Sequence, residues 1–387
     1  MSRPRILLFS NWFAPGFKGG GSQLAIVNLV HTLREEFDFW VVSRDRDVGD
    51  SQPFSGIRAN AWVERERFHI RYLAPEKQGY FTIAEIIRST PHEVMHLNSV
   101  VSLPFAAKPL LFRKSRSKGC PILISPHGEM SPCARAEKPV RKSVYLRAAR
   151  MAGLFEGAHW HATSPLEERD IKDVWGTKAS VTVAPILPPL MIASEPIQTR
   201  SPKAAGILRC VFLSRIDRMK NLDLAIDLIS ATPNATLDIY GPVGQPDYWA
   251  ACLSRIAEAK HPDAFRYRGS VPSDQVIETL SQYDLLVQPS RSENFGYTIL
   301  ESLSAGCPVL ISDQTPWRML ASTGIGFDLS LSKPEQFLDV MRQMRDLDET
   351  AHSSWRERAR RYAQNYILTS PAKVATREMY SALLNQR

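Results

Sequence analysis

The chain has 387 residues, of which 44% are hydrophobic and 23% charged, and this composition is ordinary for a globular protein of two or three domains. No segment approaches the roughly 20 apolar residues of a transmembrane helix, and the apolar run near the basic N-terminus is too short for a signal peptide. The five cysteines, an odd number without a Cys-x-x-Cys pair, indicate reduced thiols and a cytoplasmic protein.

The formal charge of +8 lies entirely in the N-terminal half of the chain. Residues 1–185 contain 26 Lys and Arg against 18 Asp and Glu, whereas residues 186–387 contain 22 of each. Within residues 108–150, eleven basic residues accompany only two acidic ones. Such an asymmetry indicates an anionic partner for this half of the chain.

Short apolar runs in the N-terminal half predict buried strands, and one amphipathic run predicts a helix. The predicted strands are residues 5–10, 39–43, 91–98 and 121–125, and the helix is 22–33. Residues 159–164 are predicted to form the last strand of this domain, with Ser164 capping the helix that begins at Pro165. Residues 45–75 are polar and irregular, so we expect a variable surface loop or hairpin there.

Two of the predicted strand ends carry residues that suit a ligand site. Gly20 and Gly21 lie in a glycine-rich turn before the helix, but the turn does not match Gly-x-Gly-x-x-Gly, which makes a dinucleotide site a weak interpretation. His127 follows a predicted strand and precedes Gly128. Because α/β sheets bind ligands outside the carboxyl ends of their strands, we expect His127 to point into a binding crevice.

Residues 135–155 combine basic and apolar side chains in a pattern typical of a basic amphipathic helix. The basic residues are Arg135, Lys138, Arg141, Lys142, Arg147 and Arg150, and the apolar ones are Val140, Val144, Tyr145, Leu146, Met151, Leu154 and Phe155. The pattern, together with the charge asymmetry, predicts an anionic membrane surface as the partner. The alternative is a solvated helix face.

A proline-rich stretch, residues 186–206, predicts an interdomain linker, and a second α/β pattern follows it. The predicted strands of this second pattern are residues 208–213, 237–240, 265–269, 284–288 and 307–312. The residues from Trp355 onward are helical in pattern, with an interruption at Pro371. The predicted domains are therefore 1–185 and 207–365, with a C-terminal helix within 366–387.

Residues 288–312 read as strand, loop, helix and strand, and the loop suits an anion beside hydroxyl groups. The helix begins near Phe295, where free backbone N–H groups and the positive end of the helix dipole favour an anion. Glu293 and Glu301 flank this helix start. Carboxylates repel an anion, so these two are better suited to accept hydrogen bonds from hydroxyls beside it. A sugar next to a phosphate meets both requirements.

Two sequence elements resemble a known family. Glu293-x7-Glu301, with Phe-Gly inside it and Leu-Glu-Ser-Leu-x-Ala-Gly-x-Pro-Val around its end, resembles the donor-site signature of the retaining glycosyltransferases of family GT4. Ser214-Arg215-x4-Lys220 is similar to a second element of that family, with Ser214 in place of the commoner Gly. Independently of the family, two cations five residues apart at a strand-to-helix turn suit a diphosphate.

The resemblance implies an α/β fold of the GT-B type, in which two Rossmann-like domains face each other across a cleft. The N-terminal domain would bind the acceptor and the C-terminal domain the nucleotide sugar. The final helix would cross back onto the N-terminal domain.

The resemblance also implies roles for individual residues. The catalytic candidates are His127, which would contact the transferred sugar, Arg215 and Lys220, which would hold the diphosphate, and Glu293, which would hold the sugar hydroxyls. The substrate-binding candidates are Gly20, Gly21, Arg215, Lys220, Gly241, Val271, Glu293, Asn294, Phe295, Gly296 and Glu301. Among these, Glu301 would bind the ribose, and the segments around Gly241 and Val271 would line the base.

The implied reaction is transfer of a hexose from a UDP- or GDP-linked donor to an acceptor hydroxyl, with the anomeric configuration retained and without a metal or cofactor. The basic N-terminal half favours a lipid-linked or polysaccharide acceptor of cell-surface glycan synthesis, such as lipopolysaccharide or exopolysaccharide. It also favours a cytoplasmic protein held peripherally at the inner face of the cell membrane. Two alternatives stay open: a GT-B epimerase acting on a nucleotide sugar, and a basic nucleic-acid-binding protein. We expect no nucleic acid partner, because no reader motif is recognisable.

Overall fold

The computed structural model describes residues 3–115, 119–136, 139–189 and 201–386. The chain divides into two compact units. Unit 1 comprises Met1–Leu190 and Ser370–Arg387, and unit 2 comprises Met191–Thr369. Most of the predicted linker, residues 190–200, lies outside the described residues.

Unit 1 is built on an eight-stranded sheet. In chain order its strands are β1 (Arg5–Ser10), β2 (Asp38–Arg44), β3 (Trp62–Arg65), β4 (Phe68–Leu73), β5 (Val94–Asn98), β6 (Ile122–Ile124), β7 (His159–Ala162) and β8 (Ser180–Val183). Their order in space is β3-β4-β2-β1-β5-β6-β7-β8, and neighbours are parallel except β3 with β4. Because β1 lies in the middle of this sheet, four consecutive apolar residues, Ile6 to Phe9, are fully buried.

Six α-helices, one 3₁₀ turn (Pro75–Lys77) and one π-helical turn connect these strands among the described residues. The helices are α1 (Gly21–Leu33), α2 (Tyr80–Ser89), α3 (Lys108–Lys114), α4 (Pro132–Ala136), α5 (Pro139–Met151) and α6 (Pro165–Trp175), and the π-helical turn Leu103–Ala107 leads into α3. As predicted, Ser164 caps α6: its hydroxyl accepts a hydrogen bond from the backbone N–H of Glu167 at 3.2 Å.

The prediction of an irregular loop or hairpin over residues 45–75 is only partly right. β3 and β4 do form an antiparallel hairpin, but β4 also pairs in parallel with β2, so it is an inner strand of the sheet. Phe68, Ile70 and Tyr72 are at most 5% exposed. They alternate with His69 and Arg71, which makes the segment polar on average. For this reason the sequence analysis did not predict a strand here.

The prediction that residues 159–164 form the last strand of this unit is wrong. β8 follows and pairs with β7 in parallel. β8 is a four-residue edge strand, and none of its residues is fully buried. It therefore lacks the continuous apolar run that marks an inner parallel strand in a sequence.

Unit 2 contains a six-stranded parallel sheet. Its strands are β9 (Leu208–Leu213), β10 (Ala235–Tyr240), β11 (Phe265–Gly269), β12 (Leu285–Gln288), β13 (Val309–Ser312) and β14 (Gly326–Leu329). Their order in space is β11-β10-β9-β12-β13-β14. Helices cover this sheet, and Cys210 of β9 and Leu285 of β12 are therefore completely buried.

The helices of unit 2 are α7 (Leu222–Ser230), α8 (Pro246–Ala257), α9 (Val276–Ser281), α10 (Tyr297–Ala305), α11 (Leu320–Thr323), α12 (Pro334–Asp346) and α13 (Glu349–Thr369). Arg356 of α13 is 5% exposed and ties two shorter helices together. Its guanidinium donates to the carbonyls of Ser281 at 3.0 Å and Ala305 at 3.4 Å, the last residues of α9 and α10. A cation at these helix ends satisfies carbonyl groups that have no partner within the helix.

The last helix, α14 (Ala372–Leu384), belongs to the core of unit 1. Tyr380 is fully buried, and its ring packs on Phe37 and Phe39, with ring centroids 5.1 and 6.1 Å away. Its hydroxyl lies 2.7 Å from Nδ1 of His96 on β5. Residues that are distant in the sequence thus complete the first unit.

Each sheet has one topological switch point, where consecutive crossovers run to opposite sides. The switch lies between β1 and β5 in unit 1 and between β9 and β12 in unit 2. At such a point the loops separate and leave a crevice at the carboxyl ends of the strands. The predicted α/β fold with two Rossmann-like units is confirmed. In the described part of the chain, no helix combines the length and apolarity that crossing a bilayer requires.

Candidate functional site

Most of the predicted site residues lie in loops that leave the carboxyl ends of the unit 2 strands. Arg215 and Lys220 follow β9, and Glu293 follows β12. β9 and β12 are hydrogen-bonded neighbours on either side of the switch point. Gly241 follows β10 and Val271 follows β11, further along the same edge. Parallel pairing therefore places segments that are far apart in the chain at one edge of the sheet.

The loop after β9 is held by Asp217, a residue that the sequence analysis missed. Its carboxylate accepts hydrogen bonds from Nε of Arg215 at 2.6 Å and from the backbone N–H of Lys220 at 3.2 Å. Asp217 caps the 3₁₀ turn Arg218–Lys220 and orients both predicted diphosphate ligands. The available signal in the sequence was an acidic N-cap residue three positions before Lys220.

Lys220 and Glu293 form an ion pair. Nζ of Lys220 lies 2.6 Å from Oε1 of Glu293, and the two side chains are only 17% and 8% exposed. The same carboxylate oxygen accepts hydrogen bonds from Gln288 at 3.0 Å and from Ser290 at 2.9 Å. Glu293 is therefore held rigidly, and Lys220 is directed to the loop that precedes α10.

The start of α10 is available to an anion. Gly296 precedes the helix with φ 78°, a conformation that L side chains rarely adopt. A Cβ atom at this position would lie 2.7 Å from Cδ1 of Ile299, so glycine is required. Gly296, the N-cap residue, has no side chain and so makes no side-chain capping hydrogen bond. Its first N–H groups and the positive end of the helix dipole thus face the loop that carries Glu293.

Trp317 fixes the peptide group that leads into α10. Its indole Nε1 donates a hydrogen bond of 2.5 Å to the carbonyl of Phe295, and both residues are buried. The Trp317 ring also packs on Tyr366 of α13, with ring centroids 4.9 Å apart. Because the carbonyl of Phe295 and the N–H of Gly296 belong to one planar peptide, this bond also orients that N–H group.

Glu301 lies one turn inside α10, where burial raises the pKa of its carboxyl group to about 7. The carboxyl is therefore partly protonated near neutral pH and can both donate and accept hydrogen bonds. Such a group suits a neutral diol better than it suits an anion. Asn294 and Phe295 lie between the two glutamates in the loop before the helix.

Gly241 is required by the close approach of two strand exits. It has φ 132°, and a Cβ atom there would lie 1.9 Å from the carbonyl oxygen of Ser214. Its own carbonyl accepts a hydrogen bond of 2.9 Å from the hydroxyl of Tyr267. Val271 is half-buried two residues after β11. This part of the edge presents mainly backbone, so its side chains do not identify a ligand.

In unit 1, Gly20 and Gly21 form the start of α1, and Gly20 is the N-cap residue with φ 71°. The turn before them is held by Asp47, which the sequence analysis did not single out. Its carboxylate accepts hydrogen bonds from the backbone N–H groups of Phe17 at 2.7 Å and Lys18 at 3.1 Å. The glycine turn is therefore a defined structure at the carboxyl edge of the sheet.

His127 lies two residues after Ser125, at the carboxyl end of β6, with φ 49°. Both ring nitrogens are buried and have no hydrogen-bond partner among the described residues. Burial, and then the neighbouring His161, lower the pKa of His127 to about 3. At neutral pH it is an uncharged imidazole with one donor and one acceptor, and neither forms a hydrogen bond among the described residues.

A chain of buried hydrogen bonds lies beside His127. Nε2 of His161 lies 2.8 Å from the carbonyl of Ala184, so this nitrogen carries the proton. Nδ1 of His161 then accepts from Ser125 at 2.9 Å, Ser125 accepts from Nε2 of His96 at 2.8 Å, and Nδ1 of His96 accepts from Tyr380. Both histidines are thus fixed as neutral tautomers that link α14 to β5, β6 and β7.

The described residues contain no cluster of three or more His, Cys, Asp or Glu side chains that could hold a metal ion. The Asp-x-Asp spacing occurs at Asp45 and Asp47 and again at Asp346 and Asp348, but these carboxylates are engaged. Asp346 pairs with Arg345 at 2.7 Å, and Asp348 accepts from the backbone N–H of Ala351 at 2.8 Å. Asp45 accepts from Arg46 at 2.8 Å, and Asp47 accepts from backbone N–H groups.

The predicted residues thus fall into two groups. Unit 2 contains those of the predicted donor site, namely Arg215, Lys220, Gly241, Val271, Glu293, Asn294, Phe295, Gly296 and Glu301. Unit 1 places Gly20 and Gly21 after β1, and His127 after β6. Within unit 1, β5 lies between β1 and β6, so these residues share one edge of the sheet.

Residues 196–362 match the family model of the glycosyl transferases group 1. The UDP-N-acetylglucosamine--peptide N-acetylglucosaminyltransferase GtfA subunit of Streptococcus gordonii is 33% identical over 104 residues, which are 25% of this chain and 19% of the relative. The D-inositol 3-phosphate glycosyltransferase of Corynebacterium urealyticum is 25% identical over 181 residues, 44% of this chain and 42% of the relative. The chain therefore matches less than half the length of these relatives.

Two solved structures share the fold over nearly the whole chain. HepE of Anabaena, in complex with UDP and glucose, has a TM-score of 0.70 at 15% identity and covers 100% of both chains. WaaG, a glycosyltransferase involved in lipopolysaccharide biosynthesis, has a TM-score of 0.66 at 15% identity and covers 96% of this chain and 98% of its own. At this identity the likeness shows the fold alone, and the predicted GT-B fold is confirmed.

Proposed function

We propose that this chain transfers a hexose from a UDP- or GDP-linked donor to an acceptor hydroxyl, because residues 196–362 match the family model of the glycosyl transferases group 1 and the fold is GT-B. The anomeric configuration is retained, and the acceptor is a lipid-linked or polysaccharide glycan of the cell surface. The observation that carries the proposal is the junction of Lys220, Glu293 and the start of α10 at the switch point of unit 2.

The chemical difficulty of the reaction is the leaving diphosphate, which gains negative charge as the glycosidic bond breaks. Arg215 and Lys220 are held by Asp217, and the start of α10 is held by Trp317. These groups form a preorganised positive potential, which stabilises developing charge without reorganisation during the reaction. Two cations and a helix dipole would thereby stabilise the negative charge that a divalent metal ion stabilises in other transferases.

The glutamates suit hydroxyl groups. Glu293 lies beside the proposed diphosphate ligand Lys220, at the place where the first sugar of the donor would begin. Glu301, with its raised pKa, suits the ribose diol. Oε1 of Glu293 already accepts three hydrogen bonds, which disfavours its action as a nucleophile. We therefore propose that the donor phosphate itself, and not a carboxylate pair as in retaining hydrolases, assists deprotonation of the acceptor.

The acceptor belongs to unit 1 in this proposal. The glycine turn and the neutral imidazole of His127 lie at one edge of its sheet. Both ring nitrogens of His127 lack a partner among the described residues, so the ring offers one donor and one acceptor to sugar hydroxyls.

The membrane partner rests on α5. Val140, Val144 and Met151 are 76%, 62% and 90% exposed, and their spacing places them with Arg147 on one stripe of the helix. Arg141, Arg147 and Arg150 are exposed as well. Lys142 contributes less to the proposed membrane binding, because its ammonium group donates to the carbonyl of Ala134. Lys138 lies outside the described residues.

An exposed apolar stripe flanked by arginines is the pattern of a helix that lies in a membrane interface. Each Lys or Arg near an anionic bilayer contributes about 1 kcal/mol to binding. Three arginines and the apolar stripe together give reversible, salt-sensitive attachment. We propose that α5 holds the protein peripherally at the inner face of the cell membrane, where a lipid-linked acceptor would be presented.

Binding of nucleoside diphosphates tests the proposal directly. We expect UDP or GDP to raise the melting temperature of the protein in a concentration-dependent way, because a ligand of the folded state stabilises it. The corresponding nucleotide sugar should then give a glycosylated product only when an acceptor is added. Release of a rearranged free sugar from the donor alone would instead indicate an epimerase, and the absence of any nucleotide effect would contradict the donor site.

A further inference from the structure

Arg44 is a cation at the carboxyl edge of the unit 1 sheet that the roles above leave unused. It is the last residue of β2, which pairs with β1, and β1 in turn borders the switch point of this sheet. Gly20, Gly21 and His127 lie at the same edge, after β1 and β6. Arg44 is thus placed where a ligand of unit 1 would bind.

Two aromatic rings hold the guanidinium of Arg44. Its central carbon lies 5.9 Å from the ring centroid of Trp12 and 5.6 Å from that of Phe105. Trp12 follows β1, and Phe105 lies in the π-helical turn that follows β5. Cation–π contacts from two separate strand exits fix the position of the charge, which suits it to recognise a ligand.

The guanidinium has no counterion in the described part of the chain, and its Nε is buried without a hydrogen-bond partner. Partial burial lowers the pKa of Arg44, but a guanidinium remains protonated in proteins. A partly desolvated charge without a counterion costs free energy in the unliganded protein. An anion that binds there would remove this cost.

The carboxylates near this strand end are already engaged and do not compensate Arg44. Asp45 pairs with Arg46, whose guanidinium donates to both carboxylate oxygens, at 2.8 and 3.2 Å. Asp47 accepts the backbone N–H groups of the glycine turn, as described above. Two nearby arginines thus differ: Arg46 forms an ion pair with Asp45, whereas Arg44 has no carboxylate partner among the described residues.

We propose that Arg44 binds an anionic group of the acceptor, a phosphate or a carboxylate, so that the acceptor of this enzyme is itself an anion. The guanidinium fork matches either group with two parallel hydrogen bonds. That the ligand is the acceptor rests on the proposed function. The anion site itself rests only on the geometry around Arg44.

Calorimetry with simple anions tests the site. Inorganic phosphate, pyrophosphate and acetate would be titrated into the full chain in the presence of a saturating nucleoside diphosphate, which occupies the donor cations. We expect phosphate or acetate to bind, and Arg44→Gln to weaken the binding at least about tenfold. Arg44→Lys should lose less, because the charge is kept. Arg46→Gln, two residues away, is the matched control and should bind like the wild type.

The outcomes distinguish failure of the proposed glycosyl transfer from failure of the Arg44 anion site. Stronger binding of phosphate or pyrophosphate would assign a phosphorylated acceptor, and stronger binding of acetate a carboxylated one. If no nucleoside diphosphate binds, the proposed function fails, and the anion titrations are repeated in an Arg215→Ala background to test Arg44 alone. Anion binding that survives Arg44→Gln, or that is lost equally in Arg46→Gln, would overturn the site. So would the absence of binding by all three anions.

Thermal unfolding shows whether the Arg44→Gln variant is folded. Because Arg44 carries a charge without a counterion, Arg44→Gln should melt at the same temperature as the wild type or higher in the absence of anions. Phosphate should raise the melting temperature of the wild type and of Arg46→Gln, but not that of Arg44→Gln. A large loss of stability in Arg44→Gln alone would show a structural role and contradict the site.

Discussion

The ammonium group of Lys220 lies 2.6 Å from a carboxylate oxygen of Glu293, and this ion pair joins the two segments that resemble the donor-site motifs. Both side chains are largely buried, so removal of one partner leaves the other charge desolvated. In the proposed donor site, Glu293 therefore occupies the position at Lys220 that a diphosphate would take or share. We expect donor binding to weaken or rearrange this pair.

The first prediction concerns the leaving group. We expect Arg215→Ala and Lys220→Ala each to lower turnover about 10²–10³-fold, the effect of removing one preorganised charge partner. Arg215→Lys should restore activity only in part, because the planar fork is lost. Arg218→Ala is the matched control, since Arg218 lies in the same loop and pairs outward with Asp247 at 3.0 Å. Steady-state kinetics decide, and wild-type turnover in both variants would refute the diphosphate role.

The second prediction separates the two glutamates. Glu293→Gln should impair sugar transfer but retain or increase affinity for a free nucleoside diphosphate, because Lys220 is released from its carboxylate partner. Glu301→Gln should lower the affinity for the free nucleoside diphosphate, because the proposed partner of Glu301 is the ribose. Calorimetry with UDP and GDP, which carry no sugar, measures both effects. The roles are reversed if Glu293→Gln loses affinity and Glu301→Gln keeps it.

The third prediction concerns pH and Glu301. Burial raises the pKa of this carboxyl to about 7 in the folded protein, above its ordinary value of 4.5. The folded state therefore holds the proton more tightly, and stability falls as pH rises from about 5 to about 7. Glu301→Gln removes this dependence. It should be more stable than the wild type by about 1–3 kcal/mol at pH 8 and unchanged at pH 4.5.

Denaturant unfolding at the two pH values measures this difference. Subtracting wild type from variant cancels the titration of all other groups, provided that they do not couple to Glu301. Equal stability differences at pH 4.5 and pH 8 would show that folding does not raise the pKa of the Glu301 carboxyl.

The fourth prediction concerns Trp317. Trp317→Phe keeps an aromatic ring but removes the N–H donor to the Phe295 carbonyl. The buried carbonyl then lacks its partner, at a cost of about 1–3 kcal/mol, and the peptide before Gly296 loses its fixed orientation. We expect weaker nucleoside diphosphate binding together with lower stability. Tyr366→Phe keeps the ring that packs on Trp317 and is the control. Lower stability with unchanged nucleotide affinity would show that Trp317 contributes to packing but not to nucleotide binding.

The fifth prediction concerns the membrane. The protein should sediment with anionic but not with neutral liposomes, and salt should weaken the binding. Arg141→Glu combined with Arg147→Glu on α5 should release it, and Val144→Glu should do so through the apolar stripe. Arg342→Glu combined with Arg361→Glu makes the same charge change on exposed helices of unit 2 and should have no effect. Release by both pairs would indicate a dependence on total charge and not on α5.

The sequence determined the elements whose signal is local. β1 and β9 lie at the predicted residues, because parallel inner strands are continuous apolar runs. α10 begins at Tyr297 and ends before Gly306, which adopts the left-handed conformation expected of a helix-ending glycine. The motif around Glu293 was recognisable for the same reason, since its residues are close together in the chain.

Other features were decided only by tertiary structure. β4 alternates polar and apolar residues, and β8 is a short edge strand, so only their pairing in the sheet identifies them as strands. The ion pair of Lys220 with Glu293 depends on β9 and β12 being neighbours, and no pattern within either segment specifies that pairing. Likewise, Arg44 differs from Arg46 only through what surrounds it in the fold. Local sequence sets backbone preference, whereas contacts between distant segments set the surroundings of each charge.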